Sequence, residues 1–108
     1  MTSKEVMEIS AKIENVMVHD NIARYIVDII RATRENNHLV HGASPRAGTI
    51  LLRAAQTFAL LNDNAFVSPE EVRFAAPYVL NHRLKLRPES TTTVHAVIQN
   101  ILNTVSYA

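Results

Sequence analysis

The segment 45–61, Pro-Arg-Ala-Gly-Thr-Ile-Leu-Leu-Arg-Ala-Ala-Gln-Thr-Phe-Ala-Leu-Leu, restricts the fold of this chain more than any other stretch. Ser44-Pro45 opens it as a helix, with serine at the N-cap and proline at the first helical position. Ala47, Ile50, Leu51, Ala54, Ala55, Phe58 and Leu61 recur at helical spacing, and Leu52, Ala59 and Leu60 extend the apolar surface almost around the cylinder. The polar strip that remains is Arg46, Thr49, Arg53 and Gln56. A helix apolar on most sides cannot lie on a surface and belongs in the middle of a helical bundle. Phe58 is expected in its core.

The flanking segments supply the partners. Val6, Ile9, Ile13 and Val16 make a stripe over 3–16, with Ser3 as N-cap. A helix over 21–35 follows, capped by Asp20, with Ile22, Ile26, Ile29, Ile30 and Thr33 on one face. On its other face the pairs Arg24–Asp28 and Arg31–Glu35 are each expected to add only about 0.2–0.5 kcal/mol. Residues 37–43 read as a loop and Asn62-Asp63-Asn64 as a turn. Ser68-Pro69-Glu70-Glu71 is a further start signal with the spacing of a capping box. Val72, Ala75, Ala76, Val79 and Leu80 follow it, and Pro77 predicts a break near Ala76. A connector over 84–90 leads to a last helix over 92–105, with Val94, Val97, Ile98, Ile101, Leu102 and Val105. The expectation is an all-α fold: a compact bundle of four to five helices, forming one domain over 1–108.

Composition agrees. Of 108 residues 47% are hydrophobic and 19% charged, a globular balance. With only 2 glycines, the turns of a small β-domain are hard to supply. No cysteine is present, which excludes disulfides, thiolate metal sites and thiol catalysis. The net charge of +1 gives no strong electrostatic bias, so a nucleic-acid partner is not the first expectation. No apolar run reaches membrane-spanning length, and Met1-Thr2-Ser3-Lys4-Glu5 does not read as a signal peptide. A cytoplasmic location and no membrane partner are expected.

Few residues offer chemistry. His38 and His41 share a loop and could begin a metal site, but no third ligand stands near them, so no metal is expected. The serines occupy caps or termini, and Glu70-Glu71 sits where a helix dipole favours carboxylates. No G-x-x-x-x-G-K-[ST] phosphate loop can be fitted to Gly42 and Gly48. No catalytic residue is assigned in this chain. The run Gly42-Ala43-Ser44-Pro45-Arg46-Ala47 is different: it places an arginine in the first turn of the central helix, where the dipole disfavours a cation. Free first-turn N–H groups and a guanidinium converging there suit a phosphate oxygen. An exposed arginine without a task is the competing reading.

This run, followed by Leu51-Leu52-Arg53-Ala54-Ala55 and Ala59-Leu60-Leu61, resembles the sensor-2 helix of the MoxR family of AAA+ ATPases. Tyr25-Ile26-Val27 with Thr33-Arg34 resembles that family's preceding lid helix. Phe66-Val67-Ser68-Pro69-Glu70-Glu71-Val72, Ala76-Pro77 and Val79-Leu80-Asn81-His82-Arg83-Leu84 resemble its following segment. Asn62-Asp63-Asn64 departs from the Gly-Arg turn common in the family. The resemblance implies an AAA+ lid whose ATPase core is absent from this chain. Nucleotide would lie between core and lid, with ATP and Mg²⁺ bound by the parent protein and neither by this chain alone. Arg46 would be the sensor-2 arginine reaching the γ-phosphate, supported by Ser44 and Pro45. Arg53 would touch a neighbouring subunit or the core, unless it is simply a solvated helix residue. The implied partners are the core domain of the same protein, a hexameric ring of subunits and von Willebrand factor A domain proteins. Two other classes stay open: a helical DNA-binding module using 68–84, and a stand-alone interaction domain.

Overall fold

The computed structural model of the chain describes residues 2–107. Among them are five helices: α1 (Ser3–Glu14), α2 (Asp20–Arg34), α3 (Pro45–Leu61), α4 (Pro69–Leu80) and α5 (Val94–Thr104). α3 packs on α1, α2 and α4, and α5 closes the bundle against α2 and α4. The all-α expectation and the central place of 45–61 both hold. α3 buries Ala47, Leu51, Ala55 and Ala59 completely, four residues apart, so a narrow ridge of three alanines and one leucine runs down its contact face. Val72, Ala75 and Ala76 of α4 are also fully buried. Small residues on both helices let α3 and α4 approach closely.

The predicted boundaries shift at the caps. Thr2, not Ser3, caps α1, its Oγ1 accepting the Glu5 N–H at 3.2 Å. α1 stops at Glu14, because the chain turns inward to bury Val16 and then pairs Met17 with Phe66 in a parallel bridge. His19 occupies the N-cap of α2 without a side-chain bond, and Asp20 is already helical. Thr93 caps α5, its Oγ1 accepting the Ala96 N–H at 3.1 Å. At α4 the capping box expected over Ser68–Glu71 is present, the Glu71 carboxylate accepting the Ser68 N–H at 2.9 Å.

Three expectations need correction. Pro77 does not break α4, which continues to Leu80. Val72, Ala75, Ala76 and Leu80 clamp the helix on both sides of the proline, and Pro77 shares its outer side with the exposed Arg73, Phe74 and Tyr78. The bond lost to the Arg73 carbonyl is lost where water can replace it. Neither expected ion pair of α2 forms among the described residues; Arg31 instead lies 3.9 Å from Asp28 one turn earlier. Exposed side chains can choose between spacings of three and four at almost no cost. The segment 37–43 is not wholly loop: β1 (Leu39–His41) pairs antiparallel with β2 (Lys85–Leu86), which lies in the 84–90 connector.

Burial also departs from the pattern at named positions. Gln56, assigned to the polar strip, is buried, and its Nε2 donates to the Val16 carbonyl at 3.0 Å. α1 buries no residue; Val6 and Ile9 of its stripe stay exposed. Leu61 is 73% exposed at the end of α3. Phe58 is half-buried, set edge-on to the exposed Phe74 with centroids 4.8 Å apart. α3 ends through Asp63 at φ 58°, with the Asn64 N–H bonded to the Ala59 carbonyl at 2.8 Å and the Asp63 N–H to Leu60 at 3.0 Å. That is a Schellman ending with aspartate in the left-handed position that glycine usually takes.

Leu51→Ala should therefore cost about 2–5 kcal/mol, and Phe58→Ala less than Leu51→Ala. Urea denaturation of both variants checks the order; a Leu51→Ala loss below about 1 kcal/mol would contradict the central placement of α3. Asp63→Gly should stabilise the chain by roughly 1 kcal/mol, because glycine carries no penalty at positive φ. A lowered melting midpoint for that variant would show that the Asp63 side chain has a role the Schellman turn does not explain.

Candidate functional site

The first turn of α3 is reached through residues 42–44, and these are held unusually tightly. A Cβ added at Gly42 would lie 2.6 Å from the Arg34 Cα and 2.7 Å from both the Arg34 nitrogen and the Thr33 carbonyl carbon. All three are backbone atoms of α2, so only a glycine fits this crossing. Next to it, the Ala43 N–H donates to Thr33 Oγ1 at 2.9 Å, and that hydroxyl donates to the Ile30 carbonyl at 2.6 Å. Thr33 and Ala43 are both buried. From this anchor the chain enters the helix. Ser44 sits at the N-cap in extended backbone but makes no side-chain cap bond, and Pro45 takes the first helical position. The Ala47 N–H bonds back to the Ser44 carbonyl at 3.0 Å.

Arg46 then stands exposed beside this terminus, and among the described residues no carboxylate pairs with it. Arg53 has a different setting. Its Nη1 lies 3.5 Å from Glu14 Oε1, tying α3 to the end of α1, with both side chains more than half exposed. Such a pair contributes between nothing and about 1 kcal/mol. Arg53 lies about 10 Å along the helix axis from Arg46, so the structure does not bring the two arginines to one point. Ser44, Pro45 and Arg46 are brought together by sequence adjacency alone.

Beside this terminus lies a feature that the sequence did not disclose. An apolar groove of about 380 Å³ runs between α2 and α3, floored by Ile26, Val27, Ile30 and Leu52. Arg31, Arg34 and Pro45 also line it. Gly48 is the one signal that could have found it, since it leaves out a side chain just where the two helices pass. The histidines do not converge. His38 bonds Ser90 Oγ at 3.2 Å, and His41 lies in β1. Among the described residues no group of three or more His, Cys, Asp or Glu is placed to hold a metal. No described helix is long and apolar enough to cross a membrane.

The AAA lid domain family matches residues 31–101 of the chain, a span that begins in α2 and takes in the whole of α3 and α4. This chain belongs to that family. Its similarity extends further than the matched span. A protein of Bacillus subtilis, the uncharacterized YeaC, is 32% identical over 108 residues, covering 97% of this chain and 34% of the relative. Chaperone MoxR1 of Mycobacterium tuberculosis is 29% identical over 118 residues, covering 98% of this chain and 31% of the relative. A crystal structure of a candidate ATPase from Cytophaga hutchinsonii superimposes with a TM-score of 0.92 at 30% identity, over 97% of this chain and 36% of the other. The chain thus spans about a third of the length of the relatives it matches. The MoxR resemblance of its motifs is met by a MoxR relative along nearly all of the chain.

Arg46 is exposed and has no ion pair among the described residues. Arg46→Ala should leave the unfolding free energy within roughly 0.5 kcal/mol of the starting value, as at other exposed positions. A loss above 1 kcal/mol in urea would mean that the side chain packs and is not held free.

Proposed function

We propose that residues 1–108 are one lid unit of a MoxR-like ATPase, and that Arg46 is the residue through which the lid senses nucleotide. The supporting observation is the setting of Arg46: exposed and unpaired among the described residues, one position past a proline-fixed helix start. In this reading ATP with Mg²⁺ is bound by a core domain outside this chain. The planar guanidinium of Arg46 reaches the γ-phosphate, with the first-turn N–H groups of α3 adding their partial positive charge. Ser44 and Pro45 set the direction from which it reaches. Hydrolysis and phosphate release remove the anion that favours the closed lid, so the lid changes position with nucleotide state.

The uncovered apolar stripe of α1, with Val6 and Ile9 exposed, supports a neighbour that this chain does not contain, and the core domain is the neighbour proposed. Around it would stand a hexameric ring in the cytoplasm, acting as a chaperone-like remodeller with von Willebrand factor A domain proteins as partners. Arg53, already paired with Glu14 across an exposed 3.5 Å contact, is a weaker candidate for contact with a neighbouring subunit.

In the intact ATPase, Arg46→Ala should lower ATP turnover by on the order of 10²-fold with little change in melting temperature. Arg46→Lys should restore little of it, because an ammonium cannot grip two oxygens at once. The isolated lid should hydrolyse no ATP, having no phosphate loop. Normal turnover by Arg46→Ala, or robust turnover by the lid alone, would sink this reading.

A further inference from the structure

We propose that Thr33 is a positioning residue for Arg46, and that its hydroxyl and the missing side chain of Gly42 form a clamp that sets where α3 begins. The proposal rests on the reading of Arg46 as the nucleotide sensor. It starts from how the hydroxyl is used. Its single proton goes to the Ile30 carbonyl at 2.6 Å, inside α2, which leaves its lone pairs turned outward. One of these accepts the Ala43 N–H at 2.9 Å. Thr33 is 0% and Ala43 1% exposed, so no water can replace the bond if it is lost. α2 thus holds the incoming chain through one directional bond, not only through apolar contact.

Gly42 supplies the other half of the clamp. The chain crosses α2 so closely that a Cβ would meet three backbone atoms at 2.6–2.7 Å, and backbone cannot rotate away. One neighbour therefore fixes the distance of the crossing, and the next fixes its register. Between this clamp and Arg46 lie only Ser44 and Pro45, and the proline ring locks its own φ. A displacement at Ala43 has almost no slack in which to dissipate before it reaches the guanidinium. A shift of about 1 Å in a charged group that must meet a phosphate oxygen is enough to cost up to 10²-fold in rate.

A purely structural threonine would explain the buried hydrogen bonds but not a link to Arg46, and the two roles are separable in the intact ATPase. Turnover of Thr33→Val, assayed well below its melting temperature, should fall roughly 10- to 100-fold. Valine keeps the shape and has no acceptor. Thr33→Ser, which keeps the hydroxyl, should stay within about threefold of the starting protein, because the bond survives the loss of a methyl group. In an Arg46→Ala background, Thr33→Val should lower turnover by less than about twofold more, because a clamp for an absent side chain has nothing left to position. Hydrogen–deuterium exchange of a peptide spanning 40–46 should speed up in Thr33→Val and not in Thr33→Ser. Should Thr33→Val fail to fold, Thr33→Cys carries the same test, since a thiol is a poor acceptor of similar size. A folded Thr33→Val with full turnover beside an impaired Arg46→Ala overturns the clamp and leaves the sensor reading standing. So do losses that multiply in the double variant, or an unchanged exchange rate. Full turnover of Arg46→Ala removes the sensor itself, and this inference with it.

Discussion

Close contact between small side chains on α3 and α4 is the constraint on which the rest of the lid is built. Ala47, Leu51, Ala55 and Ala59 lie on one line of α3 with no exposed area, and Ala75, Ala76 and Val72 answer them from α4. Interaxial distance between packed helices is set by the residues at the contact, and alanine allows the close end of the range. Larger residues here would push the helices apart or off their rotamers, and α5 and α2 would lose their seats in turn. Isoleucines of α2 and α5, with Leu80 and Leu102, then fill the space around this narrow centre. Alanines flank Leu51 along this line, and the larger side chains of α2, α4 and α5 pack around it.

Polar bonds between connections complete what apolar packing begins. The α1–α2 connection is tied to the α3–α4 connection by the Met17 N–H to the Ala65 carbonyl and the Val67 N–H to the Met17 carbonyl, both at 2.9 Å. Gln56 adds the Val16 carbonyl from within α3. At the other end, β1 and β2 join the two remaining long connections, and the Arg87 Nε reaches the Asn37 carbonyl at 2.9 Å. Arg73 closes α5, donating to the Leu102 carbonyl at 2.6 Å, where a cation also meets the negative end of the helix dipole. Each of these satisfies a connection or helix-end carbonyl or N–H that no helix could satisfy by itself, the Val16 carbonyl among them at a buried residue. Together they make the four connections part of the scaffold that carries Arg46.

The proposed site depends on a contrast between stiffness and freedom. Up to Ala43 the chain is clamped by Thr33 and by the close crossing of Gly42; the Arg46 side chain has no ion-pair partner among the described residues. A sensor needs both properties. Its base must be fixed so that the reach is reproducible, and its tip must be unoccupied so that a ligand, and not the lid itself, decides where it rests. Arg53 shows the alternative on the same helix, an arginine already engaged by a carboxylate of its own chain.

Helix order, the central helix and a count of four to five were determined by the sequence alone. Apolar spacing over 45–61, the Ser-Pro starts at 44–45 and 68–69 and the caps near 2–3 and 92–93 are local signals, and local physics suffices to read them. Arg46 was legible for the same reason, since its place in the first turn follows from the proline before it. The continuity of α4 through Pro77, the burial of Gln56 and the exposure of Val6, Ile9 and Leu61 were decided only in the tertiary structure. Each depends on what a distant element presents, such as the Val16 carbonyl that makes burial of an amide affordable. The short β1–β2 ribbon and the Thr33–Ala43 bond belong to the same class. A strand of two or three residues has no periodicity to read, and a threonine at an apolar position looks like any β-branched filler until a backbone N–H arrives beside it.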